Sequence, residues 1–102
     1  MGAQTVYRGD RTIDGVEVTA DGAVLDARLD LKTYTDHGFE WSYDGDGPRQ
    51  LALALLAHHL GDAKALQEAE RFSTRVVANF NNEWEMTGAD IDTALANIHA
   101  GA

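Results

Sequence analysis

Cysteine is absent from the 102 residues, which excludes disulfides, thiolate metal sites and a cysteine nucleophile. Long apolar runs are missing too. The longest, Leu51 to Ala57, falls far short of the roughly 18 residues that a membrane span needs, and no basic segment followed by an apolar one opens the chain. The expectation is a soluble protein of the cytoplasm with no membrane partner. Proline occurs once, and the remaining composition, 44% hydrophobic and 25% charged, is that of a folded chain. The length suits one domain over residues 1–102.

Positive charge is scarce. Six Arg and two Lys face 11 Asp and six Glu, for a net charge of −9. So few and dispersed bases cannot neutralise a phosphate track, so direct nucleic-acid binding is not expected. The surplus of carboxylates repels itself in dilute buffer, whereas at molar salt the screening length falls to about 3 Å and that repulsion largely vanishes. An Asp-rich, Lys-poor surface resembles the proteins of extremely halophilic archaea and their viruses. A merely acidic protein of ordinary cytoplasm carries the same sign, and so does an acidic mimic of DNA.

Period-two alternation runs through the N-terminal part, with Val16, Val18 and Ala20 on one face and Leu25, Ala27, Leu29 and Leu31 on one face of the next segment. Asp21-Gly22 between them is the strongest short hairpin signal, which predicts a hairpin over 16–31. Thr5–Arg8 predicts a further strand turning at Gly9-Asp10, and Asp14-Gly15 is a second turn or a bulge. Phe39-Glu40-Trp41-Ser42-Tyr43 alternates as a fourth strand, with Glu40 toward solvent.

Pro48 suits the start of a helix through Leu51–Ala57 that ends at Gly61. Asp62 caps a second helix whose stripe is Leu66, Ala69, Phe72, Val76, Val77 and Phe80, with Glu68 off the stripe. After a short extended piece over 83–86, Thr87 and Asp90 form a capping box for a third helix buried through Ile91, Leu95 and Ile98. The predicted class is α+β: a three- to four-stranded antiparallel sheet, mostly N-terminal, packed by three helices.

The segment Gly38-Phe39-Glu40-Trp41-Ser42-Tyr43-Asp44-Gly45-Asp46-Gly47-Pro48, followed by Gln50-Leu51-Ala52-Leu53-Ala54-Leu55-Leu56 and Leu60-Gly61-Asp62, resembles a small domain family of unknown function found in bacteria, haloarchaea and their phages or plasmids. Tyr7-Arg8-Gly9 and Trp84 extend the resemblance over nearly the whole chain. It implies no activity, no catalytic residues and no cofactor. Typical members carry small residues where this chain has Asp44 and Asp46, which fits local salt adaptation.

Four groups remain as candidate chemistry. Asp44, Gly45, Asp46 and Gly47 precede a helix, the place for an anion, but two carboxylates repel phosphate and the loop lacks the Lys and Ser/Thr of a P-loop. As a calcium loop it fails at its twelfth position, Leu55, where a bidentate Glu is needed. His58 and His59 point about 100° apart on a helix and cannot chelate one metal together. Glu40, Glu83 and Glu85 beside tryptophans fit a hydrolase pair only if they converge. The fourth group, Tyr34, Phe39, Trp41, Tyr43 and Trp84, supplies the anchors of a protein interface or the bulk of a core. The expectation is a non-enzymatic accessory or interaction domain that binds a protein partner or its own copy, without metal or cofactor. The rival is a small enzyme or metal-binding domain built on Glu40, the Asp44/Asp46 loop and His58/His59.

Overall fold

In the computed structural model, which describes residues 4–101, the chain opens with β1 (Val6–Thr12), β2 (Gly15–Ala20) and the short β3 (Ala23–Val24). Helices α1 (Asp46–Leu60) and α2 (Asp62–Arg75) follow, then a 3-10 turn over Val77–Asn79, β4 (Trp84–Thr87) and α3 (Gly88–Ala100). The four strands form one antiparallel sheet in the order β3-β2-β1-β4.

The Asp21-Gly22 turn forms as read, with φ of 50° and 85°, the two positive values that a tight hairpin of this hand requires. The Gly9-Asp10 turn does not form. Gly9 lies mid-strand, opposite Val18 on β2 and Trp84 on β4, and the chain reverses at Ile13-Asp14 instead. The predicted strand over 25–31 does not form: after the turn only Ala23–Val24 pairs with β2, and from the 25–31 stretch only the Leu25 amide reaches it, donating to the Val18 carbonyl at 3.0 Å. Beyond it Arg28 takes a positive φ of 56°, and Leu29 is exposed.

Phe39–Tyr43 is not a strand either. Ser42 adopts a φ of 79°, which ends any extended run, and its amide donates to the Val77 carbonyl at 3.1 Å, outside any ladder. The fourth strand is the extended piece before α3, which lies along the free side of β1.

Strand pleating sorts the side chains. Tyr7, Val18, Ala20, Trp84 and Met86 face inward, while Arg8, Glu17, Thr19 and Glu85 face out. The inner face joins one apolar core with α1, whose residues Leu51 to Ala57 are all buried, and with Phe72, Val77, Ile91, Leu95 and Ile98. A helix apolar all round belongs at the centre, and α1 lies there. The capping box of α3 is complete: the Asp90 amide donates to Thr87 Oγ1 at 3.1 Å and the Thr87 amide to Asp90 Oδ2 at 2.9 Å.

Helix α2 departs from its predicted stripe in two places. It ends at Arg75, and it turns Leu66 outward, 45% exposed, while Glu68 is 1% exposed. The Glu68 carboxylate, read from the sequence as lying off the stripe, is buried and faces His99 of α3, with Oε2 3.2 Å from Nε2.

Candidate functional site

Arg11, on the inward side of β1 near its end, gathers the aromatic motif around itself. Its Nη2 donates to Glu40 Oε1 and to the Trp41 carbonyl, both at 2.8 Å, and its Nη1 to Asn82 Oδ1 at 3.3 Å. The guanidinium also stacks 4.5 Å from the Trp41 ring centre. Trp41 Nε1 donates to the Asn82 carbonyl at 3.2 Å, and the Ser42 hydroxyl to the Phe80 carbonyl at 2.6 Å. Glu40 is therefore an ion-pair partner inside a loop-to-sheet junction, not a solvent-facing strand residue. Glu85 pairs with Arg8 at 2.9 Å and, with Asp10 and Glu83, lines a cavity of about 370 Å³ that Glu40 does not line, so Glu40 stands apart from the two glutamates flanking Trp84.

The five candidate aromatics do not share one surface. Trp41 is fully buried and Trp84 is 9% exposed, their rings edge to face at 5.8 Å, with Phe80 stacked on Trp84 at 4.5 Å. Tyr34 and Phe39 are partly buried against the core, and only Tyr43 stands half exposed. A tryptophan held in the core is lost as an interface anchor.

The glycines of the Asp44-Gly45-Asp46-Gly47 loop serve close packing. A Cβ on Gly47 would lie 2.7 Å from Glu40 Cβ, and one on Gly45 would lie 2.8 Å from the Tyr43 ring. Arg49 draws both carboxylates to itself, Asp46 at 3.0 Å and Asp44 at 3.5 Å. The loop is thereby closed over the first turn of α1, with Gly47 and Pro48 buried.

His58 and His59 part as their helical spacing requires. Nδ1 of His58 lies 2.8 Å from the Tyr7 hydroxyl, and Nε2 of His59 lies 2.8 Å from Asp92 Oδ1 on α3. Burial pushes the Tyr7 hydroxyl up to about 12, with the nearby Asp21 carboxylate acting in the same direction. Among the described residues, no three His, Asp or Glu side chains gather in a metal-binding cluster.

The segment between β3 and the aromatic motif is held by side chains instead of a ladder. Gln50, fully buried at the start of α1, accepts from the Tyr34 and Thr35 amides at 2.8 and 3.3 Å. Its Nε2 donates to the Ala27 and Lys32 carbonyls at 2.7 and 3.0 Å. All four of its amide's bonding positions are thus used on backbone. Arg28 forks onto Asp62 at 3.0 and 3.1 Å and onto Asp30 at 3.1 and 3.2 Å. These bonds raise the Arg28 pKa and hold that of Asp30 below the usual carboxylate value.

A groove lies at the β2 edge. It has a volume of about 390 Å³ and is lined by Val16, Val18, Val24, Leu25 and Phe39, with Asp14 and Glu17 at its margin. Val24, 84% exposed, and Ile13, 102% exposed in the adjoining turn, are large apolar side chains in full contact with water.

A family model matches residues 7–97 and describes a family of unknown function, DUF6166. The chain belongs to the DUF6166 family. No curated protein and no solved structure matches it.

In this DUF6166 domain, the quoted motif marks where loops are fastened to the sheet and to α1. Two of the residues that do the fastening, Arg11 and Gln50, escape a reading by periodicity. The sequence does contain a signal for Gln50, a lone amide beside the seven-residue apolar stretch Leu51–Ala57. Arg11 has no local signal, because its partners Glu40, Trp41 and Asn82 are 29, 30 and 71 residues away. No helix among the described residues of this DUF6166 domain is long and apolar enough to cross a membrane.

Proposed function

We propose that this chain is a non-enzymatic protein-interaction domain that works in a salt-rich cytoplasm, in a halophilic archaeon or its virus or plasmid. The observation that carries the reading is the apolar groove at the β2 edge, flanked by the exposed side chains of Ile13 and Val24. Surface apolar groups gathered beside a groove mark association sites, whereas scattered single ones do not. The polar side chains first considered for chemistry are engaged in separate contacts: Glu40 with Arg11, Asp44 and Asp46 with Arg49, His58 with Tyr7 and His59 with Asp92. The carboxylate surplus and the scarcity of lysine support the salt-rich setting.

The test is a tagged pull-down at multimolar KCl from a halophilic host, comparing the native chain with Val24→Asp and Ile13→Asp. Both substitutions fall on exposed side chains and leave the core intact. The expected result is a partner held by the native chain and lost from the variants. Retention of no partner, or saturable turnover of a substrate, overturns the reading.

A further inference from the structure

The sheet is open on the groove side, and the register shows where. The Asp21 amide donates to the Val6 carbonyl at 2.8 Å, so Arg8, Asp10 and Thr12 exchange bonds with Thr19, Glu17 and Gly15. The backbone groups of Val16 and Val18 therefore point away from β1. The Val18 carbonyl is taken by the Leu25 amide, but β3 ends there, and the amide and carbonyl of Val16 have no backbone partner among the described residues. Gly38 and Phe39 form the opposite wall without bonding to β2. An unpaired strand segment beside an apolar groove is the template used in recognition by strand addition.

Charge selects the occupant. Asp10 and Glu17 are directly opposite each other on the solvent face, and among the described residues neither has an ion-pair partner. Like charges in directly opposed positions destabilise a sheet. A strand added beside β2 would turn alternate side chains to that same face, next to Glu17 and Asp14, and the intervening ones toward Val16, Leu25 and Phe39. A second copy of this chain would bring its own Glu17 and Asp14 to the edge, carboxylate directly against carboxylate, the short-range contact that salt screens least.

We propose that the open edge of β2 accepts an extended segment of a partner protein whose residues alternate apolar and basic, bound as an additional antiparallel strand. The proposal rests on the interaction reading above and names the chemistry of its partner.

The test is a titration of the 102-residue chain with two synthetic peptides, one alternating Val and Lys and one alternating Val and Glu, followed by amide NMR shifts and by affinity. The Val/Lys peptide is expected to bind and to shift the Val16, Val18 and Phe39 amides, and the Val/Glu peptide is expected not to. Glu17→Lys, on an exposed side chain, should weaken the Val/Lys peptide about tenfold or more. Val16→Pro, which removes the outward-pointing N–H and replaces one groove-lining side chain, should abolish binding, whereas Val16→Ala, which keeps the N–H, should only weaken it. Equal binding of both peptides, binding undiminished in Glu17→Lys, or shifts mapping to another face overturns strand addition here. Self-association of the native chain that Val16→Pro abolishes overturns it in favour of a second copy. Failure of the Val/Lys peptide while a partner is retained in the pull-down overturns this proposal alone, whereas an empty pull-down overturns the interaction reading beneath it.

Discussion

Gly9 and Trp84 face each other across β1 and β4, and the Trp84 indole fills the space where any other residue at position 9 would place its Cβ. The indole nitrogen is buried there without a hydrogen-bond partner, and Trp41 and Phe80 hold the ring from two sides. The glycine is thus a seat for the tryptophan, set in the middle of a central strand.

Gly9→Ala is therefore expected to destabilise the fold by about 3 kcal/mol, the upper part of the range for overpacking, because the new Cβ would overlap the indole that Trp41 and Phe80 hold against β1. Urea denaturation followed by tryptophan fluorescence checks it. A loss smaller than that of an alanine placed at an exposed strand position would contradict the packing described.

Gln50→Leu keeps the volume and removes all four hydrogen bonds to the 27–35 segment. Backbone groups left buried and unsatisfied cost about 1–3 kcal/mol each, so a loss of at least about 3 kcal/mol is expected. Hydrogen exchange at the Tyr34 and Thr35 amides should accelerate more than at amides of α1, which separates local release from global unfolding.

Tyr7 sets an alkaline limit. Its hydroxyl holds a proton up to about pH 12 in the folded state, against the ordinary value of 10.0. Above pH 10 the unfolded chain releases a proton that the native state retains, so stability falls as pH rises from 10 to 12. The loss is on the order of 2 kcal/mol, and it is absent below pH 10. In Tyr7→Phe that part of the alkaline decline should disappear, at a cost of about 1 kcal/mol at neutral pH for the bond to His58. Unfolding midpoints of the two proteins across this pH range decide the matter.

Salt should act in the opposite direction from its effect on an ordinary surface ion pair. With 17 carboxylates on 102 residues and an unpaired Asp10–Glu17 contact, raising KCl from tenths molar to multimolar should raise the unfolding midpoint. A flat midpoint over that range would remove the case for salt adaptation.

What periodicity and turn chemistry disclosed was the locally determined part of the fold. The Asp21-Gly22 hairpin, the all-apolar α1 and the Thr87–Asp90 box each depend on neighbours within a few residues, and each formed. The misread pieces are those whose backbone groups are satisfied from far away. Phe39–Tyr43 alternates like a strand, yet Arg11 and Val77 claim its polar groups, and the stretch after Leu25 is held by Gln50 and Arg28. Gly9 reads as a turn residue because a glycine that seats an indole 75 residues later in the chain looks the same as one that bends it. The candidate site was legible only in fragments. Val16, Val18, Leu25 and Phe39 all carried strand patterns, but their meeting at an open edge depends on β3 stopping after two residues.

The placement of β4 beside β1 has a consequence for how the chain is made. During vectorial synthesis, β1, β2, α1 and α2 leave the ribosome before Trp84 does, so β1 waits as a bare sheet edge with Gly9 uncovered until residues 84–87 arrive to complete its ladder. Closure of the sheet is thus a late event, and a nascent chain stalled before Trp84 would expose an unfinished core to chaperones and to other nascent copies.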